Sequence, residues 1–408
     1  MDTSVSYSNY TFHIPAESDH HAGTIMAWPT ERSILDTLWS YAGSDVNQTR
    51  HELAKVALAI AKYEQVEMFV LDPSWDSHII DGKNGSSLET AKQLLGDAKN
   101  VTIHTTRDVD SLWARDTAPV FAYAKPRAQE LKRSSSESQS VHHDSQVVGM
   151  ILSFNQWGKK NLPTTDSYFA GAACSILKVN QVLAPFVAEG GGIEVDGDGT
   201  LLATESAILN SNRNPGVDKL TMERYFHDTF GVEKTIWFSG ASGYDITDDH
   251  VDGLARFASP GVVLLSRPFV RDESNPGGAL DDYYDVKRKL KDQTDAKGRP
   301  IRVIDCESFV RVFRAAFQAK SDNFSVQEPD PAVLEDYGPN SGVTVSYVNY
   351  HVVNGAVIVA KFGDEGADAN AANVLARQYP GRVIEQVHLH QLGIQGGGIH
   401  CATQQFFA

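Results

Sequence analysis

GTIMAWP (residues 23–29), HELAKVALAIAKY (51–63) and VEMFVLDP (66–73) are the stretches of this 408-residue chain that decide its fold. The first and third are apolar runs that end in proline-containing turns. The one between carries apolar residues at helical spacing, so the three predict strand, helix, strand. The order recurs. GTLLATES (199–206) leads into LTMERYFHDTFG (220–231) and KTIWFSG (234–240). GVVLLSRP (261–268) leads into DDYYDVKRKLKDQ (281–293) and IRVIDC (301–306). GAVIVAKFGD (355–364) leads into NAANVLARQYPG (370–381) and RVIEQV (382–387). A weaker copy runs through VVGMILSFNQWG (147–158), SYFAGAACSILKV (167–179) and QVLAPFVAE (181–189). A unit repeated about five times predicts a closed, radially repeated α/β array. A doubly wound sheet competes, weakened because no strand is followed by a GxGxxG phosphate turn.

Two segments break the pattern. Residues 124–146 are polar and serine-rich and predict a flexible surface insertion. Residues 321–342 are dense in turn formers and predict a long loop. Neither looks like an independent domain, so residues 1–408 are read as one.

The composition, 41% hydrophobic and 22% charged, is that of a soluble globular protein, with no apolar run of membrane-spanning length. The first twenty residues have neither a basic start nor an apolar stretch, which predicts no signal peptide. Three cysteines, Cys174, Cys306 and Cys401, cannot all pair, which favours a reducing, cytoplasmic setting. A formal charge of −16 argues against nucleic acid or anionic membrane as a partner and permits a cationic ligand.

Four stretches hold polar residues that packing alone does not require: SLWARDTAPVF (111–121), AEGGGIEVDGDG (188–199), YDITDDHVDGLARF (244–257) and GGGIHCATQQ (396–405). They contribute Trp113, Arg115 and Asp116, Glu189, His250 and Asp252, and His400 and Cys401. A thiolate is a strong nucleophile, mostly protonated at neutral pH unless a neighbouring histidine or bound cation stabilises it. A histidine can give and take protons. Extra carboxylates would burden such a thiol, but they suit a positively charged substrate, because a planar guanidinium is held bidentately by carboxylates. Asp116 and Asp252 are therefore candidate clamps on a guanidinium that Cys401 attacks. Taken singly, each residue has a structural alternative: Cys401 as a small buried hydrophobe, His250 and Asp252 as a satisfied pair alternating along a strand, Asp116 as a cap. A metal site built from His250, Asp252, His388 and His390 lacks compact ligand spacing, so no metal is expected. His400, adjacent to Cys401, should point its side chain away from the sulfur and is assigned no catalytic role.

Together these motifs resemble the agmatine deiminase and bacterial-type peptidylarginine deiminase family of the guanidine-modifying (pentein) superfamily, over roughly Gly23 to Gln405. The resemblance rests on W-x-R-D at Trp113–Asp116, E-G-G-x-I from Glu189, and N-R-N-P at Asn212–Pro215. H-V-D at His250–Asp252 and G-G-G-I-H-C-x-T-Q-Q at the end complete it. It implies a five-bladed α/β propeller and hydrolysis of a guanidinium to a ureido product and ammonia. By the same resemblance Cys401 is the nucleophile, His250 the general acid and base, Glu189 its orienting carboxylate, and Asp116 and Asp252 the clamps. Trp113 and Trp157 become aromatic walls. It implies a small cationic guanidino substrate, no cofactor, and is compatible with a homo-oligomer. WPTERSILDTLW (28–39) and ITDDH (246–250) depart from the usual agmatine deiminase wording. Those regions, with Trp28 and Asp248, are expected to meet the far end of the substrate. The alternatives are peptidyl-arginine as substrate, an amidinotransferase, or a silent guanidine-binding protein.

Overall fold

The computed structural model describes residues 9–35, 44–76, 85–127, 145–243, 245–266, 278–306, 346–363 and 365–407. Each of the five strand–helix–strand readings forms a pair of parallel strands. Gly23–Ala27 pairs with Gln65–Leu71, and Gln146–Ile151 with Asn180–Leu183. Thr200–Thr204 pairs with Lys234–Phe238, Val262–Ser266 with Arg302–Cys306, and Ala356–Lys361 with Val383–His388. The helices Val46–Ile60, Phe169–Leu177, Lys219–Phe230, Gly278–Leu290 and Glu365–Gln378 make the five crossovers.

Local chemistry explains these elements. Asp45 and Asp218 cap two crossover helices by accepting from Gln48 N at 2.9 Å and Thr221 N at 2.8 Å. The first helix turns Leu53, Val56, Ala57 and Ile60 into the core, against Met26, Val66 and Met68 of the strands. Gly23–Ala27 and Thr200–Thr204 are buried at every position, as expected of parallel strands covered on both faces.

Each parallel pair lies in a separate sheet, five among the described residues, and each sheet adds one antiparallel strand beside the first member of the pair. These added strands are Val120–Pro126, Glu194–Val195, Ala255–Ser259, His351–Val353 and Gln404–Phe406. The last joins the two ends of the chain, with Gln404 opposite Ile25 and Phe406 opposite Gly23. Two sheets gain a fourth strand, Tyr10–His13 in one and Val101–Thr106 in the other.

The boundaries of the expected insertion, 124–127 and 145–146, belong to or adjoin strands, and its remainder, 128–144, lies outside the described residues, as does the expected 321–342 loop. No described helix is long and apolar enough to cross a membrane.

Candidate active site

The five added strands place the site. Just ahead of each is a turn that carries polar side chains: Asp116 before Val120, Glu189 before Glu194, His250 and Asp252 before Ala255, Asn349 before His351, and Cys401 before Gln404. Asp116 lies in the short helix Ala114–Thr117, and Glu189 leads a 3₁₀ turn, Gly190–Gly192. His250 and Asp252 do not alternate along a strand. His250 is the cap and Asp252 a first-turn residue of the helix Val251–Leu254, because the chain bends before the strand starts.

Gly191 is where three of these turns meet. A methyl built on it would stand 2.6 Å from His250 Nδ1, 2.9 Å from Asp116 Oδ1 and 3.2 Å from Asp252 Oδ2. Cys401 Sγ lies 3.5 Å from the same Asp252 oxygen and 3.2 Å from Asn349 Nδ2. The Cys401 amide donates to Asn349 Oδ1 at 3.3 Å, so one asparagine braces both ends of the cysteine. Trp113 packs against Gly397, where a Cβ would collide with its ring and also touch Cys401 Cβ. The glycine run before the cysteine thus admits an indole close to the Cys401 side chain at its Cβ.

Each ionisable group is tuned by its neighbours. His250 Nε2 is 3.3 Å from Glu189 Oε2 and its Nδ1 is 3.7 Å from Asp116 Oδ1. Burial pushes the imidazole down, but Asp116, Glu189 and Asp252 outweigh it and raise it to about 9. Glu189, fully buried, is driven up by burial and brought lower than usual by Arg213 and His250. The two aspartates are pushed apart. Burial raises Asp116, helped by Glu189 and Asp252. Asp252, although burial opposes it, is held at about 2 by His400, His250 and Arg256. Burial, then Asp252 and Asp116, raise the Cys401 thiol well above its ordinary range. The resting site therefore pairs a protonated thiol with a protonated imidazole, a state that an arriving cation would shift toward thiolate.

Three expected substrate contacts are placed differently. Trp28 is fully buried in the core with Met26, Ile34 and Leu112, its indole donating to Thr90 Oγ1 at 3.2 Å, so it is a packing residue rather than a pocket wall. Asp248 is occupied by Lys160 Nζ at 2.6 Å, Arg213 Nη1 at 2.7 Å and the Gly243 amide at 2.8 Å, which leaves it tying loops together rather than facing a ligand. Trp157 donates its indole N–H to Asp116 Oδ2 at 2.8 Å, while the Gly191 amide donates to Asp116 Oδ1 at 3.1 Å. Its work is to aim the aspartate.

Arg213, seen in the sequence only as part of N-R-N-P, donates from Nε to both Glu189 oxygens at 2.8 and 2.9 Å. It links Glu189 to Asp248, whose carboxyl these partners hold at about 2 against burial. Linkage then runs in one direction: a depressed carboxyl contributes stability above its unfolded pKa and loses it as pH falls through the folded one. Asp248→Asn is expected to cost about 1 kcal/mol at pH 7 once solvent screening of the pairs is allowed for. The gap to the parent should close as pH drops from about 4 toward about 2, read by thermal melts across that window. A gap independent of pH would show that the ion pairs are not its source.

Glu17, Asn349 and Arg256 were missed, and Arg115 stood in the W-x-R-D motif without a role. Glu17 takes Arg115 Nη2 at 3.1 Å and Arg256 Nη2 at 3.0 Å, and Arg256 also pairs with Glu194 at 2.7 Å. Their partners lie up to hundreds of residues away, beyond any local motif. Among the described residues the one cluster with metal-ligand spacing is His21, Glu64 and His351, which includes none of His250, Asp252, His388 or His390. The Thr24 hydroxyl already sits 2.6 Å from Glu64 Oε1 and 2.8 Å from His351 Nε2.

The family model for Porphyromonas-type peptidyl-arginine deiminase matches residues 13–406. An agmatine deiminase of Medicago truncatula is 29% identical over 401 residues, 97% of this chain and 96% of that one. The structure of an agmatine deiminase from Enterococcus faecalis superposes with a TM-score of 0.72 at 25% identity, covering 97% of this chain and 96% of that one. The C. jejuni agmatine deiminase, at 18% identity, 99% coverage of both chains and a TM-score of 0.67, shares the α/β fold. Because that family model spans nearly the whole chain, the chain belongs to the Porphyromonas-type peptidyl-arginine deiminase family.

Proposed function

We propose that this protein is a guanidine deiminase that converts agmatine, or a related small guanidino compound, to a ureido product and ammonia. One observation carries the reading: the Asp252 oxygen that lies 3.5 Å from Cys401 Sγ also meets His250 and Asp116 around Gly191. The relatives named above as agmatine deiminases support it. We take the five sheets as blades of a propeller whose turns face a shared centre, and residues 1–408 as one catalytic unit. Three free cysteines fit the expected cytoplasmic setting.

The chemistry follows from charge. Asp116 and Asp252 hold a planar guanidinium, and its positive charge offsets the carboxylates that kept Cys401 protonated. The thiol loses its proton to solvent and the thiolate adds to the guanidinium carbon. His250, protonated at rest, gives its proton to the departing nitrogen. The C–N bond breaks, ammonia leaves, and a thiouronium remains on sulfur. Neutral His250 then takes a proton from water, whose oxygen adds to the same carbon. The C–S bond breaks, thiolate returns, and the remaining hydroxyl proton is released. The net change is guanidinium plus water to ureido product plus ammonium. Glu189, fixed by Arg213, keeps the imidazole oriented through both halves. Trp113 forms a flat wall beside the sulfur. No step needs a metal or organic cofactor.

A second reading, arginine within peptides, is favoured by the description of the matching family. A panel of agmatine, free arginine, short guanidino acids and an arginyl peptide, scored for ammonia and for ureido product by mass, decides between them. Agmatine is expected to react fastest. A panel without ammonia would reject deimination, and a peptide preferred over agmatine would move the assignment.

A further inference from the structure

His400 is held between two carboxylates. Its Nδ1 lies 2.7 Å from Asp252 Oδ2 and its Nε2 lies 2.8 Å from Glu17 Oε2. A neutral imidazole has one N–H, and an ionised carboxylate only accepts, so two such contacts need a second proton on one of the three groups. Glu17 does not hold it. Its carboxylate also receives Arg115, Arg256 and the Val352 amide at 2.8 Å, a set of donors that only the ionised form satisfies. Asp252 faces His250 as well as His400 and would lose its charged attraction to both if protonated. The proton belongs on the ring.

We infer that His400 stands as an imidazolium and is a positioning residue, fixing Asp252 in place and charged so that it can receive the guanidinium. The inference rests on the deiminase reading of the site. His400 does not touch the sulfur; it acts through the aspartate that does. The remaining charged or titratable groups around it are Arg115, whose Nε donates to the His400 carbonyl at 3.3 Å, Arg256, Glu194, and His351 at 3.3 Å from Glu17. Cys401 Sγ reaches the same Asp252 oxygen at 3.5 Å, and His250 and Asp116 meet that aspartate around Gly191. Two of the fixed cations, Arg115 and Arg256, are spent on Glu17, which leaves the ring as the direct hydrogen-bonded cation on Asp252.

The arrangement has a directional consequence. Removing the imidazolium lets Asp252 climb back toward the ordinary carboxyl range, so activity that needs it ionised should be lost at higher pH on the acid side. The test uses the full chain and two variants, His400→Gln and His400→Asn. Histidine ¹⁵N spectra should show a ring with both nitrogens protonated, in addition to that of His250, and the signal should vanish in both variants. In a pH profile of ammonia release, kcat/KM should fall about ten- to hundredfold. Its acid limb should move up by about one pH unit or more. Alkylation of Cys401 by 2-chloroacetamidine, a cation, should slow far more than alkylation by neutral iodoacetamide.

A His400 ring with one bare nitrogen, or an unmoved acid limb with an unchanged amidine preference, would overturn the inference. A parent chain that releases no ammonia from any guanidine would instead reject the deiminase reading. The spectra and the labelling preference still decide on His400 in that case.

Discussion

Cys401→Ala is expected to fold, melt near the parent temperature, and lose ammonia release by about 10⁴-fold or more. The other two thiols cannot take over. Cys174 and Cys306 are buried in the core at 1% and 7% exposure, and burial pushes both up to about 12. Cys401 alone has an amide donor at 3.2 Å on its sulfur and a carboxylate at 3.5 Å that would share the substrate's charge. Its raised thiol also predicts a specific signature in the parent. A cationic amidine should alkylate Cys401 faster than a neutral reagent of equal intrinsic reactivity, because only the cation relieves the carboxylates. Ammonia release surviving in the alanine variant would remove the nucleophile from the mechanism.

The second large effect comes from a residue with no side chain. Gly191→Ala puts a methyl 2.6 Å from His250 Nδ1 and 2.9 Å from Asp116 Oδ1, closer than carbon can approach either atom. The imidazole and the aspartate must both shift, and a displacement of about 1 Å in reacting groups can cost about 10² in rate. Loss of kcat by about 10²-fold or more is therefore expected, with Trp157 still bonded to an aspartate that is now misaimed. Gly253 supplies the control: a methyl there meets nothing within 4 Å, although the position is next to Asp252. Gly253→Ala should stay within a few-fold of the parent. Equal losses in both variants would trace the effect to backbone stiffening rather than to crowding at Gly191.

The repeat was legible because burial on both faces makes a parallel strand apolar end to end, and GTIMA and TLLAT carry that mark. Its pairing partners were not. Glu194–Val195 spans two residues and His351–Val353 three, too short to show a period, yet these are the strands whose leading turns hold the polar side chains. Asp116, Glu189, His250, Asp252 and Cys401 stood out because they are chemically reactive or charged side chains at strand ends and turns, where packing does not require them. Asn349 did not, since an asparagine in a turn is ordinary chemistry. Its position in the cycle was the available signal: four copies had a functional turn before the added strand, so the fifth, in SYVNYHVVNG, should have been searched. Trp28 and Asp248 misled for the opposite reason. Aromatic and acidic residues near a motif look like ligand contacts until packing and ion pairs are seen to consume them. His400 was read by strand alternation, but it lies in a turn, where its ring and the Cys401 sulfur reach the same Asp252 oxygen, and that reading does not reveal the two carboxylates waiting there.

The pairing of Gln404–Phe406 with Gly23–Ala27 closes contacts between residues about 380 positions apart in sequence. Contacts that distant in sequence form late in folding, so the turn that carries Cys401 is expected to be set only once the Gly23–Ala27 strand is in place to receive Gln404–Phe406.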